Sequence, residues 1–245
     1  MAGKNTRFHD SGYDVPKYLL PFSSSTVIQN IISNLNSLTI FDDIFLIAHE
    51  RDIYFKTELV GALGNLGIKG ENIFYVGETS GQAETAYLAT KLLPQQIDCP
   101  IVFHNADTIL INRDFSYLKE MLNSNDGFID TFYANSEKYS YVQLNNEMVW
   151  DIVEKKVISK YATSGLYGFS SRCEYQKYYL ELKYRIEINN NFKEMYISDV
   201  IKYMINSGKS FKTKLNSNRQ NTLVLGSPME YVEALKNFEV VNYGF

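Results

Sequence analysis

Cysteine is nearly absent. Cys99 and Cys173, the two present, are far apart and show no CxxC spacing, which excludes a disulfide framework and a zinc knuckle and makes a reducing compartment the default. No apolar run approaches bilayer-spanning length, and the N-terminus has no apolar leader segment, so the chain is read as soluble and cytoplasmic. A cluster of basic residues is missing too. With a formal net charge of −4 and Lys and Arg scattered along the chain, polymer nucleic acid is excluded as a partner. A mildly acidic protein can still bind a triphosphate, which needs only local N–H groups, one or two cations and a metal.

What is present is ordinary for a soluble globular protein. Hydrophobic residues are 45% and charged ones 21% of 245 residues, enough for a sizeable core. The 19 tyrosines are read as core and half-buried strand residues, since nothing in their spacing makes a base-stacking platform.

Apolar periodicity predicts a helix over Ser24 to Leu38, with Val27, Ile28, Ile31, Ile32 and Leu35 on one face. A buried strand is expected over Asp43 to Ala48. A helix over Tyr54 to Leu66, a strand over Asn72 to Val76, a helix over Gln82 to Leu93 and a strand over Pro100 to His104 continue the alternation. This order implies an α/β fold whose sheet is mixed and largely parallel, flanked by helices. In the second half, strands are expected over Gly127 to Tyr133, Tyr139 to Leu144, Glu147 to Val153 and Ser164 to Phe169, with Asn145-Asn146 as a hairpin turn. Helices follow near Arg172 to Tyr184 and Glu194 to Asn206, the latter closed by Gly208, and a last one starts after Ser227-Pro228. No linker is visible, so one domain over residues 1–245 is the simplest account.

Five stretches carry candidate chemistry. Ala2 and Gly3 are small enough to let the backbone approach a ligand, and Arg7 and Lys17 place two cations in one loop, the combination a triphosphate needs. Alone, such a loop reads as a tail with surface charges. Thr79-Ser-Gly-Gln-Ala-Glu-Thr-Ala86 is a polar loop running into a helix, able to read a base edge or simply to cap the helix. Pro100-Ile-Val-Phe-His-Asn-Ala-Asp107 is a strand with a carboxylate at its C-terminal edge, where a hard cation can sit beside phosphates. His104 reads as structural. Asp151 to Lys156 with Ala162 to Phe169, and Leu223 to Tyr231, complete the set.

Jointly and in this order, these stretches resemble the sugar-phosphate nucleotidyltransferases. Gly3, Thr6, Arg7, Pro16, Lys17, Leu19 or Leu20, and Pro21 match a G-x-G-T/S-R, P-K, L-x-P signature, with Asn5 in place of a glycine. Asn is the non-glycine residue most at ease at positive φ. The resemblance implies a Rossmann-like nucleotidyltransferase fold of the nucleotide-diphospho-sugar transferase type, with residues 1–125 as the nucleotide-binding half and 126–245 as the acceptor-binding half. It further implies that Ala2, Gly3, Asn5 and Thr6 wrap the NTP phosphates, that Arg7 assists departure of pyrophosphate, and that Lys17 steadies the substrate phosphate. Gln82, Glu84 and Thr85 would contact the base, Glu84 standing where glycine is common. Asp107 would bind Mg²⁺. Asn105, Glu154, Lys155 and Gly165 would hold the acceptor, a phosphorylated sugar or other small phosphomonoester. Where many members have a second metal-binding Asp this chain has Val224, and Glu194 or Asp199 are the candidates to substitute. The family also places an apolar strand ahead of the loop, and its absence before Met1 leads to the expectation of a late start site or a shortened chain.

The resemblance points to supply of nucleotide sugars for capsule or cell-surface glycans. Two rivals stand beside it. A glycosyltransferase of the GT-A type uses a D-x-D pair, of which Asn105-Ala-Asp107 is half; an inactive nucleotide-sugar-binding module would explain Val224. The base, the acceptor and the presence of a homo-oligomer are left open.

Overall fold

Thr26 shows how closely local chemistry sets the elements. In the computed structural model, which describes residues 3, 5–36, 41–92, 98–190 and 194–243, its backbone N–H donates to Gln29 Oε1 (2.8 Å) and its hydroxyl accepts from Gln29 N (3.3 Å). That reciprocal capping starts the helix Val27–Asn36, whose Val27, Ile28, Ile31, Ile32 and Leu35 are all buried. Leu38 and Leu93, the expected ends of two helices, lie outside the described residues.

Two compact units divide the chain. The first comprises residues 1–78, 105–113 and 220–245. Leu46–His49 and Ile73–Val76 pair in parallel, Leu46 opposite Ile73, as their continuous apolar runs lead one to expect. Glu50–Phe55 winds as a 3₁₀ turn into the helix Lys56–Gly64. The segments distant in sequence are joined by an antiparallel pair, Thr108–Leu110 with Thr222–Val224. The Arg113 guanidinium reinforces that seam by donating to the carbonyls of Ile111 (3.1 Å) and Asn221 (3.0 Å) and to the Thr222 hydroxyl (2.7 Å). Ser227 and Pro228 open the last helix, Pro228–Tyr243, as expected.

The second unit comprises residues 79–104 and 114–219. Its six-stranded sheet runs Ile101–His104, Tyr161–Phe169, Gly127–Tyr133, Phe211–Asn216, Met148–Val153, Tyr141–Asn145, and Tyr141 pairs back onto Ala162. The sheet is mixed, as expected, but antiparallel pairing dominates it: among the described residues, Gly127–Tyr133 with Phe211–Asn216 is its one parallel pair. Parallel neighbours need long crossovers, whereas here strands such as Tyr141–Asn145 and Met148–Val153 return through a turn of two residues, Asn146 and Glu147, with Asn146 at φ 55. The turn sits one residue later than expected. Helices Gln82–Leu92, Arg172–Ile188 and Ile197–Asn206 cover an apolar core that includes Ile129, Val149, Ile152, Phe169, Tyr175, Val200 and Phe211. Gly208, at φ 90, ends the last of these, its N–H donating to the Ile205 carbonyl.

Candidate active site

In the first unit the N-terminal loop is held from below. Asn5 takes the left-handed conformation (φ 56, ψ 15), as its place in the signature required, and leads into one helical turn, Thr6–His9. Phe8 is buried edge-on against Tyr13 (5.4 Å) and Tyr231 (6.4 Å), which leaves Thr6 and Arg7 exposed on the outer side of that turn. The Arg51 guanidinium donates to the Gly3 carbonyl. Ala2 lies outside the described residues.

Lys17 follows Pro16 in a short 3₁₀ turn, and its Nζ reaches Asp107 Oδ2 at 2.6 Å. Asp107 is fixed at the backbone as well, its carbonyl accepting from Leu225 N (2.7 Å), which sets the Leu223–Tyr231 segment beside it. The consequence is visible at Gly226: a Cβ there would stand 3.3 Å from Glu230 Oε2 and 3.9 Å from Asp107 Oδ2, so both carboxylates border the same small space. Glu230 was not among the expected site residues. Its signal is the Ser-x-x-Glu capping pattern, in which Ser227 Oγ contacts Glu230 Oε2 (2.8 Å). Val224 pairs with Thr108 and brings no oxygen ligand of its own side chain. Among the described residues no cluster of three or more His, Cys, Asp or Glu is placed to enclose a metal. Mg²⁺ does not require one, because it keeps several waters and takes one or two carboxylates with substrate phosphates. Asp107, a hard oxygen donor about one-quarter exposed, fits that part.

The second unit carries the other expected residues. Gly81 (φ 146) lies so close to the segment 194–197 that a Cβ would be 2.6 Å from the Met195 carbonyl oxygen. Ala83 N donates to that oxygen (2.9 Å), and Gln82 Oε1 accepts from Ile197 N (3.3 Å). Glu84 accepts from Ser80 N (2.6 Å), Ser80 Oγ (2.7 Å) and Lys183 Nζ (3.0 Å). Burial alone would raise its pKa, but the Ser80 N–H, the Lys183 ammonium and the Ser80 hydroxyl outweigh burial and hold it at about 2. Thr85 Oγ1 meets Thr79 Oγ1 at 2.8 Å.

Glu154 accepts from the hydroxyls of Ser140 and Ser198, the latter at 2.6 Å. Lys155, at φ 51, sets its ammonium 4.2 Å over the Tyr196 ring and donates to the phenol oxygen, which in turn donates to Glu194. Burial, then the Glu194 carboxylate, raise the Tyr196 pKa well above its ordinary value. Asp199 accepts from Tyr196 N at the helix start. Glu194 and Asp199, the candidate substitutes for Val224, are thus both engaged within this unit. Gly165 (φ 88) occupies the register break between Thr163 and Tyr167 in the pairing of Tyr161–Phe169 with Gly127–Tyr133, where a left-handed residue is needed. Ser140, Ser198 and Tyr196 were not foreseen, since each acts on a residue at least fourteen positions away.

These motifs, in this order, are those of a known family, and the sequence pattern of the Nucleotidyl transferase family matches residues 1–234. The chain belongs to the nucleotidyl transferase family. Among curated relatives of this nucleotidyl transferase family member, the Bifunctional protein GlmU of Aliarcobacter butzleri (strain RM4018) is 26% identical over 241 residues, covering 95% of this chain and 51% of that protein. The chain therefore spans about half the length of that relative. Among solved structures, the nucleoside-diphosphate-sugar pyrophosphorylase from Vibrio cholerae RC9 superposes with a TM-score of 0.80 at 26% identity, covering 96% of this chain and 98% of that one. A structure from Bacillus anthracis assigned as a glucose-1-phosphate thymidylyltransferase superposes with a TM-score of 0.77, covering 100% of this chain and 95% of that one; at 18% identity it attests the fold alone. The Rossmann-like nucleotidyltransferase fold expected from the sequence is the fold of this family member.

Proposed function

We propose that this chain condenses an NTP with a sugar 1-phosphate or a similar small phosphomonoester, giving an NDP-sugar-like product and pyrophosphate. The observation that supports it most is the 2.6 Å contact of Lys17 with Asp107, which joins the P-K motif to the strand-end carboxylate of the family signature. A phosphate oxygen of the acceptor forms a bond to the α-phosphorus of the NTP in line, the bond from that phosphorus to the bridging oxygen of the β-phosphate breaks, and the electron pair leaves with pyrophosphate. Arg7 offsets the charge developing on the leaving group, and Lys17 steadies the substrate phosphate. The backbone at Ala2, Gly3, Asn5 and Thr6 lines the triphosphate. Asp107 would hold Mg²⁺, which when bound supplies further neutralisation of the phosphate oxygens. Gln82 and Thr85 contact the base, and Glu84, held by Lys183, shapes that loop. Asn105, Glu154, Lys155 and the Gly165 backbone receive the acceptor. On this reading residues 1–125 serve the nucleotide and 126–245 the acceptor within one nucleotidyltransferase domain.

A cytoplasmic role in supplying precursors for capsule or cell-surface glycans belongs to the same proposal. Among the described residues no helix is long and apolar enough to cross a membrane. Val224, opposite Thr108 where a second carboxylate would stand, favours a second reading as a nucleotide-sugar-binding module without turnover. Pyrophosphate release with Mg²⁺ across the common NTPs and a panel of sugar 1-phosphates separates the two. Release that needs both substrates and collapses in Asp107→Ala and Arg7→Ala is the expected result. Tight binding of an NDP-sugar with no release from any substrate pair would overturn the enzymatic reading.

A further inference from the structure

The helix Arg172–Ile188 is apolar on two opposite faces. Tyr175, Tyr178 and Tyr179 are buried in the second unit, yet Leu180, Tyr184 and Ile188 are 47%, 65% and 59% exposed. Along the outer side the exposed positions run Cys173, Lys177, Leu180, Tyr184, Glu187 and Ile188. Alternating steps of four and three keep such positions on one face of an α-helix, the spacing of a two-helix seam. A surface helix ordinarily turns only charged and polar residues to water.

The stripe also has a direction. A cation, Lys177, precedes two large apolar residues, Leu180 and Tyr184, and an anion, Glu187, follows them. Laid antiparallel on its own copy about a two-fold axis at the level of Leu182, the stripe complements itself. Lys177 then faces Glu187 of the partner subunit, and Leu180 faces Tyr184 of the partner subunit, each contact occurring twice as an isologous interface requires. A parallel arrangement would set Lys177 against Lys177 and Glu187 against Glu187, which like-charge repulsion disfavours. We propose that this helix face docks a second copy of the chain, antiparallel, as a site of self-association independent of the catalytic reading. The stretch from Lys177 to Glu187 is about 15 Å long. One helix pair of that length buries a small area, so the dimer is weak and depends on concentration.

Sedimentation velocity of the full chain over a range of concentrations is the first test, and a reversible monomer–dimer equilibrium is expected. Lys177→Glu and Glu187→Lys should each weaken the dimer by roughly tenfold or more, and the double exchange should restore it. All of these positions are exposed, and melting curves serve as the control for folding. To fix the orientation, Cys99 and Cys173 are first replaced by Ser. A mixture of Leu180→Cys chains with Tyr184→Cys chains should then cross-link on mild oxidation, whereas Leu180→Cys chains alone should not. A wild-type chain that stays monomeric throughout, a dimer indifferent to both single charge reversals, a double exchange no tighter than the singles, or equal cross-linking of Leu180→Cys alone would each overturn the proposal.

Discussion

Lys17 and Asp107 stand 90 positions apart in the sequence and 2.6 Å apart in the fold, Nζ to Oδ2. Both side chains are about one-quarter exposed, so the pair contributes no more than about 1 kcal/mol to stability. Its value on the proposed reading is positional: it sets the phosphate-steadying lysine beside the carboxylate that would hold Mg²⁺. Asp107→Asn keeps the shape and removes the charge. We expect kcat/KM to fall on the order of a hundredfold or more, with the melting temperature shifted by only a few degrees. Steady-state pyrophosphate release and a thermal melt check this, and wild-type turnover by Asp107→Asn would end the assignment.

Much of the first unit was legible because its signals are local. The apolar runs ahead of His49 and Val76 became a parallel pair, and Asn5 took the positive φ that its motif position calls for. The capping chemistry before Val27 and Pro228 marked both helix starts. What escaped depends on partners far along the chain. Phe211–Asn216, with two lysines in six residues, does not look like an inner strand; within it Phe211 and Thr213 are the buried residues, and Thr213 is completed by Thr131 at 2.9 Å. The helix Phe115–Ser124, capped by Asp114, is a different case: its buried Phe115, Leu118, Met121 and Leu122 have regular helical spacing, and that signal was readable but unread. At the site the split is similar. The joint motif singled out Lys17 and Asp107, which the fold brings into contact, and Glu230 carries a local capping signal, while Ser140, Ser198 and Tyr196 are defined by contacts that no short motif encodes.

Glu84 links pH to stability. Its folded pKa, about 2, lies below the ordinary 4.5, so the stabilisation is fully present above about pH 4.5 and fades as pH falls toward 2. The carboxylate is one-fifth exposed, and with allowance for solvent screening its charge contributes about 1–2 kcal/mol. Glu84→Gln should therefore lower the urea midpoint at neutral pH, and the gap to wild type should narrow on acidification below about pH 4.5. A gap that stays constant down to the acid limit would show that the charge is not what stabilises this loop.

Gly81 allows no side chain. Its φ of 146 and the 2.6 Å approach of an added Cβ to the Met195 carbonyl oxygen act together, so Gly81→Ala must displace either its own loop or the segment 194–197. A loss of about 2 kcal/mol or more is expected in urea unfolding. Because Gln82 and Thr85 belong to the same loop, KM for the NTP should rise more than KM for the acceptor. An alanine variant with wild-type stability would mean that this packing is not held in solution.

Lys155, the lysine proposed to receive the acceptor, has a competitor beside it. Lys155 rests over the Tyr196 ring and donates to its phenol, which is itself tied to Glu194. With its pKa raised first by burial and then by Glu194, the phenol stays neutral at ordinary assay pH and cannot serve as a counter-anion. On the proposed reading, Glu194 is therefore the negative charge that an incoming acceptor phosphate would meet on approaching Lys155. Lys155→Met should raise KM for the acceptor tenfold or so while leaving KM for the NTP nearly unchanged, the pattern of lost uniform binding. Tyr196→Phe keeps the ring under the ammonium and should cost only a fewfold increase. Glu194→Gln separates two roles for this carboxylate. If it only repels the phosphate, KM for the acceptor falls, most clearly at low ionic strength where the repulsion is least screened. Should KM rise instead, Glu194 holds the acceptor directly, and its bond to Tyr196 is the resting arrangement of a substrate-binding group.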